Sequence, residues 1–254
     1  MAEIICFSNF KGGSGKTSSC LGTYSILTNV YNKKVLLVDV DAQCNSTDTM
    51  KGDREAGKNV LSLMMKANSA NEVIQETENG FVIPATDKLN TAESSIDNVG
   101  REFCLSEPLN ELRDDWDYIL IDCPPAMDVC TVAALGASDK IVVPVRAEIF
   151  SLDGLDGLFR NIIKIKTYYN HNLKVDGILL NQFDTQKSSY KQIQKYFVKL
   201  ADEYETRVYN TYIRQNITIA EAQLFRQLLH QYDVKSHGFE DFKNFTAELV
   251  GGER

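Results

Sequence analysis

Long hydrophobic runs are absent. Apolar stretches such as "VLLVDV" and "YILID" fall far short of the roughly 18 residues a membrane span needs. The N-terminus has no charged start followed by a long apolar stretch, so no signal peptide is evident and the expected location is the cytoplasm. Proline and glycine are scarce, at 5 and 15 residues of 254, which argues against a disordered or fibrous chain. Only three histidines are present, and the six cysteines lack any Cys-x-x-Cys spacing. Both facts argue against a zinc or redox centre. Cys6 and Cys123 sit in strand-like apolar runs and read as small buried residues of a reducing compartment. Positive charge is short too: 27 Lys/Arg stand against 35 Asp/Glu, and a net charge of −8 argues against a uniformly basic nucleic-acid binder.

The charge that is present is uneven. Residues 160–214 carry ten Lys/Arg and five Asp/Glu, a local +5 against −13 for the remainder, which leaves room for one basic face. A hydrophobic content of 43% suffices for a substantial core. No repeat, linker or low-complexity tract divides the chain, so the expectation is one domain over residues 1–254. Continuous apolar runs ("EIICFSN", "KVLLVDV", "GFVIPA", "DYILID", "KIVVPV", "VDGILLNQ") read as strands buried on both faces. Helical patterns follow at 16–30, 92–113, 129–137, 152–169 and 187–204. The alternation predicts an α/β fold: a doubly wound, mostly parallel β-sheet with helices on both faces.

Between the first strand and the first helix stands "FKGGSGKTSS". A strand, a glycine-rich turn and a helix opening at Lys16 make a phosphate-binding loop. Backbone N–H groups of residues 12–17 would face phosphate oxygens, with the helix N-terminus adding partial positive charge. Lys16 would reach the β- and γ-phosphates and the Thr17 hydroxyl would ligate Mg²⁺. The nucleotide-binding set is Lys11, Gly12, Gly13, Ser14, Gly15, Lys16, Thr17 and Ser18. The usual first glycine of such a loop is replaced by Phe10, and a second lysine, Lys11, follows it. "KGGSGKT" resembles the deviant Walker A motif of the ParA/MinD ATPase superfamily, an ATP- and Mg²⁺-dependent group. The resemblance implies that Lys11 crosses a dimer interface to the phosphate held by a partner subunit. A cation delivered that way meets the charge growing at the β–γ bridge only when two loaded protomers pair.

Three further stretches carry the resemblance. "VLLVDVDAQCNST" is similar to the superfamily's Asp-x-Asp-Pro-Gln-Gly-Asn signature, with Ala42 and Cys44 in place of the proline and glycine. By resemblance Asp41 orients the attacking water, and Asp39, near Lys16, belongs with Thr17 and Asp122 to the Mg²⁺ site. Simple capping of the following helix is the competing reading for this pair. "DYILIDCPPA" resembles a Walker B strand whose Asp122 holds Mg²⁺ through water. "VPVRAEIFSLDGLDGL" resembles a segment that puts Glu148 and the helix after Ser151 on the dimer face. Asn181, ending "LLNQ", offers an amide suited to an adenine edge, with a strand-end cap as the alternative. "IRQNITIAEAQ" and "SHGFEDFKNF" resemble the C-terminal region of ParA proteins.

The resemblance implies a partition ATPase of the short type. It would bind nonspecific DNA as an ATP-bound homodimer, associate with the nucleoid, and have its hydrolysis stimulated by a ParB-type centromere-binding adaptor. Phosphate contacts need Lys or Arg. Lys187, Lys191, Lys195 and Lys199 recur every four residues along one helix face, and Arg214, Lys164 and Lys166 extend that patch. An ordinary solvated helix face is the competing reading, and Gln215 and Thr218 stand where relatives often carry arginines. Two alternatives remain: a nucleotide-gated adaptor with little hydrolysis, and a MinD-like ATPase that binds membranes. The latter needs a basic C-terminal amphipathic helix, whereas Glu240, Asp241, Glu248 and Glu253 make this end acidic, so no membrane partner is expected.

Overall fold

A strand that is apolar at every position needs a covering layer on each side, and this chain builds both. The computed structural model describes residues 1–96, 99–146, 152–183 and 188–251. Eight strands form one sheet: β1 (Glu3–Phe7), β2 (Val35–Asp39), β3 (Gln75–Thr77), β4 (Gly80–Ile83), β5 (Tyr118–Asp122), β6 (Lys140–Arg146), β7 (Lys174–Phe183) and β8 (Ile213–Arg214). Their order is β3-β4-β2-β5-β1-β6-β7-β8, parallel throughout except for the β3–β4 hairpin at one edge.

Alternate side chains of each strand enter different cores. Ile4 and Cys6 of β1 join one apolar cluster, whereas Ile5 and Phe7 join the other. The second cluster is covered by α1 (Lys16–Asn29), α10 (Ile217–Leu224), α11 (Leu229–Tyr232) and α12 (His237–Leu249). On the first side lie α3 (Val60–Met64), α4 (Ala70–Val73), α5 (Ala92–Ser95), α6 (Ser106–Glu111), α7 (Val129–Ala137), α8 (Leu152–Tyr168) and α9 (Ser188–Glu203). One short helix, α2 (Asn45–Thr49), follows β2. The doubly wound arrangement expected from the apolar runs is present.

Helix α12 spends its apolar residues on the core: Phe242, Phe245 and Leu249 are all buried. Phe242 lies so close to α1 that a Cβ at Gly22 would approach its ring within 2.6 Å. No described helix is long and apolar enough to cross a membrane.

Several elements depart from the sequence reading, among them α2, α3 and α4, which fall where it has no helical pattern. The single amphipathic helix expected over 92–113 is broken into α5, a 3₁₀ turn at Arg101–Phe103 and α6. Ile96 leaves α5 in an extended conformation, and Gly100 enters the 3₁₀ turn in the left-handed region at φ 74°. β3 and β8 were not foreseen. "QET" and "IR" are too short to carry an alternation signal, and pairing with a neighbouring strand makes them.

Candidate functional site

β1 lies in the middle of the sheet, between β5 and β6, and the loop after it opens where strand order reverses. The loop is pinned from its start. Asn9 Nδ2 donates to the Pro144 carbonyl at 2.7 Å, and Asn9 Oδ1 accepts from the Lys11 N–H at 3.0 Å. Gly13 and Gly15 turn the backbone in the left-handed region, at φ 71° and 92°. Lys16 opens α1 and is 6% exposed, its Nζ donating to the Lys11 carbonyl at 3.4 Å. Burial lowers the Lys16 pKa, opposed by the nearby Asp122 and Asp41 carboxylates. The buried Ser14 Oγ has no hydrogen-bond partner among the described residues. Gly12 and Gly13 face solvent, and Lys11 is half-exposed at the rim.

The carboxylates come to the loop through strand register. Phe7 at the end of β1 and Asp39 at the end of β2 both pair with Asp122 of β5. One Asp122 oxygen, Oδ2, accepts from Thr17 Oγ1 at 2.8 Å and Ser46 Oγ at 2.7 Å. The other, Oδ1, is buried without a partner among the described residues. An orphaned carboxylate oxygen beside a threonine hydroxyl is a hard-oxygen donor set that fits Mg²⁺. Burial raises the pKa of both Asp39 and Asp122, and the charge of Asp122 raises Asp39 further. A divalent cation would relieve both causes.

Asp39 takes the capping role named above as the competing reading. Its Oδ1 accepts from the Asp41 N–H at 3.1 Å, and its Oδ2 from both the N–H and hydroxyl of Thr47 at 2.8 Å. Thr47 is the third residue of α2, so Asp39 caps that helix from outside it and anchors the loop. Both of its oxygens accept from the protein. Asp41 is half-buried, and its Oδ1 accepts from the Gln43 N–H at 2.9 Å. Cys44 takes the left-handed conformation, at φ 57°, and is fully buried. The backbone thus keeps the shape a glycine would give it.

Asn181 is bonded to the loop itself. It is 4% exposed and donates to the Ser14 carbonyl at 3.0 Å and to Ser19 Oγ at 3.2 Å, under the loop. Ser18 accepts from Gln223 Nε2 at 3.1 Å, which ties α1 to α10. Sequence reasoning missed Asn9, Ser46 and Thr47. Their signal was proximity to the two motifs ("SNFKGG" and "DAQCNST"), but polar residues beside a loop are common.

Of the expected basic patch, Lys195 and Lys199 are exposed on α9, and Lys164 and Lys166 on α8. Lys187 lies outside the described residues, as do Glu148, Ser151 and the side chain of Lys191. Arg214 must be withdrawn from the patch. Its guanidinium bonds Asp241 at 2.7 Å and Glu240 at 2.8 Å, because its place beside α12 sets it against two carboxylates.

A buried lysine heading a helix, a glycine loop and a facing carboxylate–threonine pair are the parts of a P-loop nucleoside triphosphatase. A family model described as an AAA domain matches residues 2–175. The chain is 32% identical to the chromosome partitioning protein ParA of Myxococcus xanthus, over 98% of this chain and 88% of that protein. It is 33% identical to the sporulation initiation inhibitor protein Soj of Bacillus subtilis, over 98% and 99%. Cobyrinic acid a,c-diamide synthase of Mycobacterium smegmatis, solved with an ATP analogue and magnesium, superimposes with a TM-score of 0.86. That match has 26% identity and covers 98% of this chain and 94% of the other. The cell division ATPase MinD of Pyrococcus furiosus shares the fold, with a TM-score of 0.79 at 21% identity over 99% of each chain. The protein therefore belongs to the ParA/Soj family of P-loop ATPases within the ParA/MinD group.

Proposed function

We propose that this ATPase drives partition of a DNA cargo: it pairs as an ATP-loaded homodimer, holds nonspecific DNA at the nucleoid and lets go after hydrolysis. The observation that carries the reading is the loop itself, in which Lys16 is buried against the phosphate site while Lys11 stands half-exposed at its rim. Water attacks the γ-phosphorus, the bond from it to the β–γ bridging oxygen breaks, and ADP and phosphate leave. Lys16 and the loop N–H groups meet the charge that moves onto the bridge. A partner subunit's Lys11 adds a second positive charge there. Asp41 positions the water. Thr17 and Asp122 are the residues that would hold Mg²⁺, and the ion would supply Lewis-acid neutralisation of the phosphate oxygens.

The exposed lysines of α8 and α9 support DNA as the surface that is gripped. A ParB-type adaptor is the partner expected to stimulate hydrolysis. The burial of α12 residues in the core favours this reading over a membrane-seeking C-terminal helix. The test is a DNA pull-down with ATP, ADP and no nucleotide, run beside steady-state ATPase measurements with and without DNA. Retention with ATP alone is expected. Equal retention in all three states would refute nucleotide-gated DNA binding, and absence of turnover under all conditions would favour a nucleotide-gated adaptor.

A further inference from the structure

We propose that Asn181 is a positioning residue of the phosphate loop and not the reader of the nucleotide base; the proposal rests on the nucleotide site described above. Three observations converge on it. First, both amide protons of the side chain are placed. One goes to the Ser14 carbonyl at 3.0 Å, the other to Ser19 Oγ at 3.2 Å. The Ser14 carbonyl and the Gly15 N–H belong to one planar trans peptide and point in opposite directions. Holding the carbonyl toward β7 therefore turns the Gly15 N–H away from β7, into the hollow of the loop where a phosphate oxygen would sit. The bond to Ser19 ties the same amide to the first turn of α1, so loop and helix are set together.

Second, the fit is too close for any other residue at the turn. A Cβ on Gly15 would lie 2.6 Å from Asn181 Nδ2, and Gly15 has φ 92°. The glycine is required twice, once by its backbone angle and once by the side chain packed against it. Third, the strand is deformed where Asn181 leaves it. The β7–β8 register shifts between Asn181 and Phe183, and the residue between them, Gln182, takes φ 52°. Such irregularities at a sheet end re-aim a side chain, and a non-glycine held there persists only when surrounding contacts fix it. At 4% exposure little of Asn181 is open to a base.

Binding of Mg-ATP, Mg-GTP and Mg-tripolyphosphate to the full chain, measured by titration calorimetry, tests this. Tripolyphosphate carries the phosphates without a base. Asn181→Leu keeps the shape and removes both donors. The expected result is a loss of about tenfold for all three ligands, with the ATP-to-GTP ratio unchanged. A loss for ATP with tripolyphosphate binding intact would overturn the proposal in favour of base recognition, and no loss for any ligand would overturn it outright. Asn181→Ser is the second variant, with the same expectation, should the leucine chain not fold by circular dichroism. Absence of triphosphate binding by the unaltered chain would overturn the nucleotide-site reading itself, a result distinct from any failure of the Asn181 variants.

Discussion

Two carboxylates are held close together out of water at the end of the sheet, where ionisation of both is costly. Asp39 and Asp122 are raised by burial, and Asp39 also by its neighbour. A carboxylate whose folded pKa is raised penalises the fold while it is ionised and is relieved as it protonates. Without divalent cation, Asp122→Asn is therefore expected to melt above the parent at alkaline pH. The gap should shrink as pH falls through the raised range toward the ordinary carboxylate value of about 4. A gap that widens on acidification would contradict this. The same variant should lose Mg²⁺-supported hydrolysis by roughly a hundredfold or more. Asp41→Ala is expected to keep ATP binding and lose turnover by a similar factor; normal turnover would remove Asp41 from the water-positioning role. Cys44 offers a subtler check. A left-handed non-glycine costs about 1–2 kcal/mol. Cys44→Gly removes that strain together with the buried thiol, while Cys44→Ala removes only the thiol. Denaturant unfolding should find the glycine variant about 1 kcal/mol more stable than the alanine one, and the reverse order would mean the turn is unstrained.

At the scale of elements, α9 and the β8–α12 contact carry opposite expectations. Lys195→Glu with Lys199→Glu should weaken DNA retention and flatten its salt dependence while leaving the melting temperature within a degree or two. Arg214→Ala should do the converse. Asp241 is buried and accepts from the Arg214 backbone and guanidinium, so the alanine variant should lose on the order of 2 kcal/mol of stability with DNA retention unchanged. Thermal melts and filter binding on the same preparations separate the two. The contrast also marks what could be read in advance. Strands apolar on both faces, such as "VLLVD" and "YILID", announce a covered parallel sheet, and "KGGSGKT" between strand and helix announces the phosphate loop. What decides the role of Arg214 is a pair of acids 26 and 27 residues away, and no local pattern reports such a meeting. Asp39 was legible as part of the site, with helix capping as one of its two readings; its partner Thr47 comes within reach only once the chain turns at Cys44. The break after α5 escaped notice because helical spacing continues on both sides of it.

For the whole molecule the decisive quantity is how many chains share a nucleotide. Lys11→Ala is expected to bind Mg-ATP within about threefold of the parent yet sediment as a monomer when loaded, and to lose DNA retention with it. A loaded dimer from that variant would remove Lys11 from the interface. Within one chain, the site is already joined to distant parts. Ser18 reaches α10 through Gln223, and a single oxygen of Asp122 holds hydroxyls from both α1 and α2. That shared oxygen works as a post with two ropes on it. A cation that took over the Thr17 rope would leave the Ser46 rope alone to hold the far bank, so the tension on the loop between Asp39 and α2 is expected to follow whether the site is loaded.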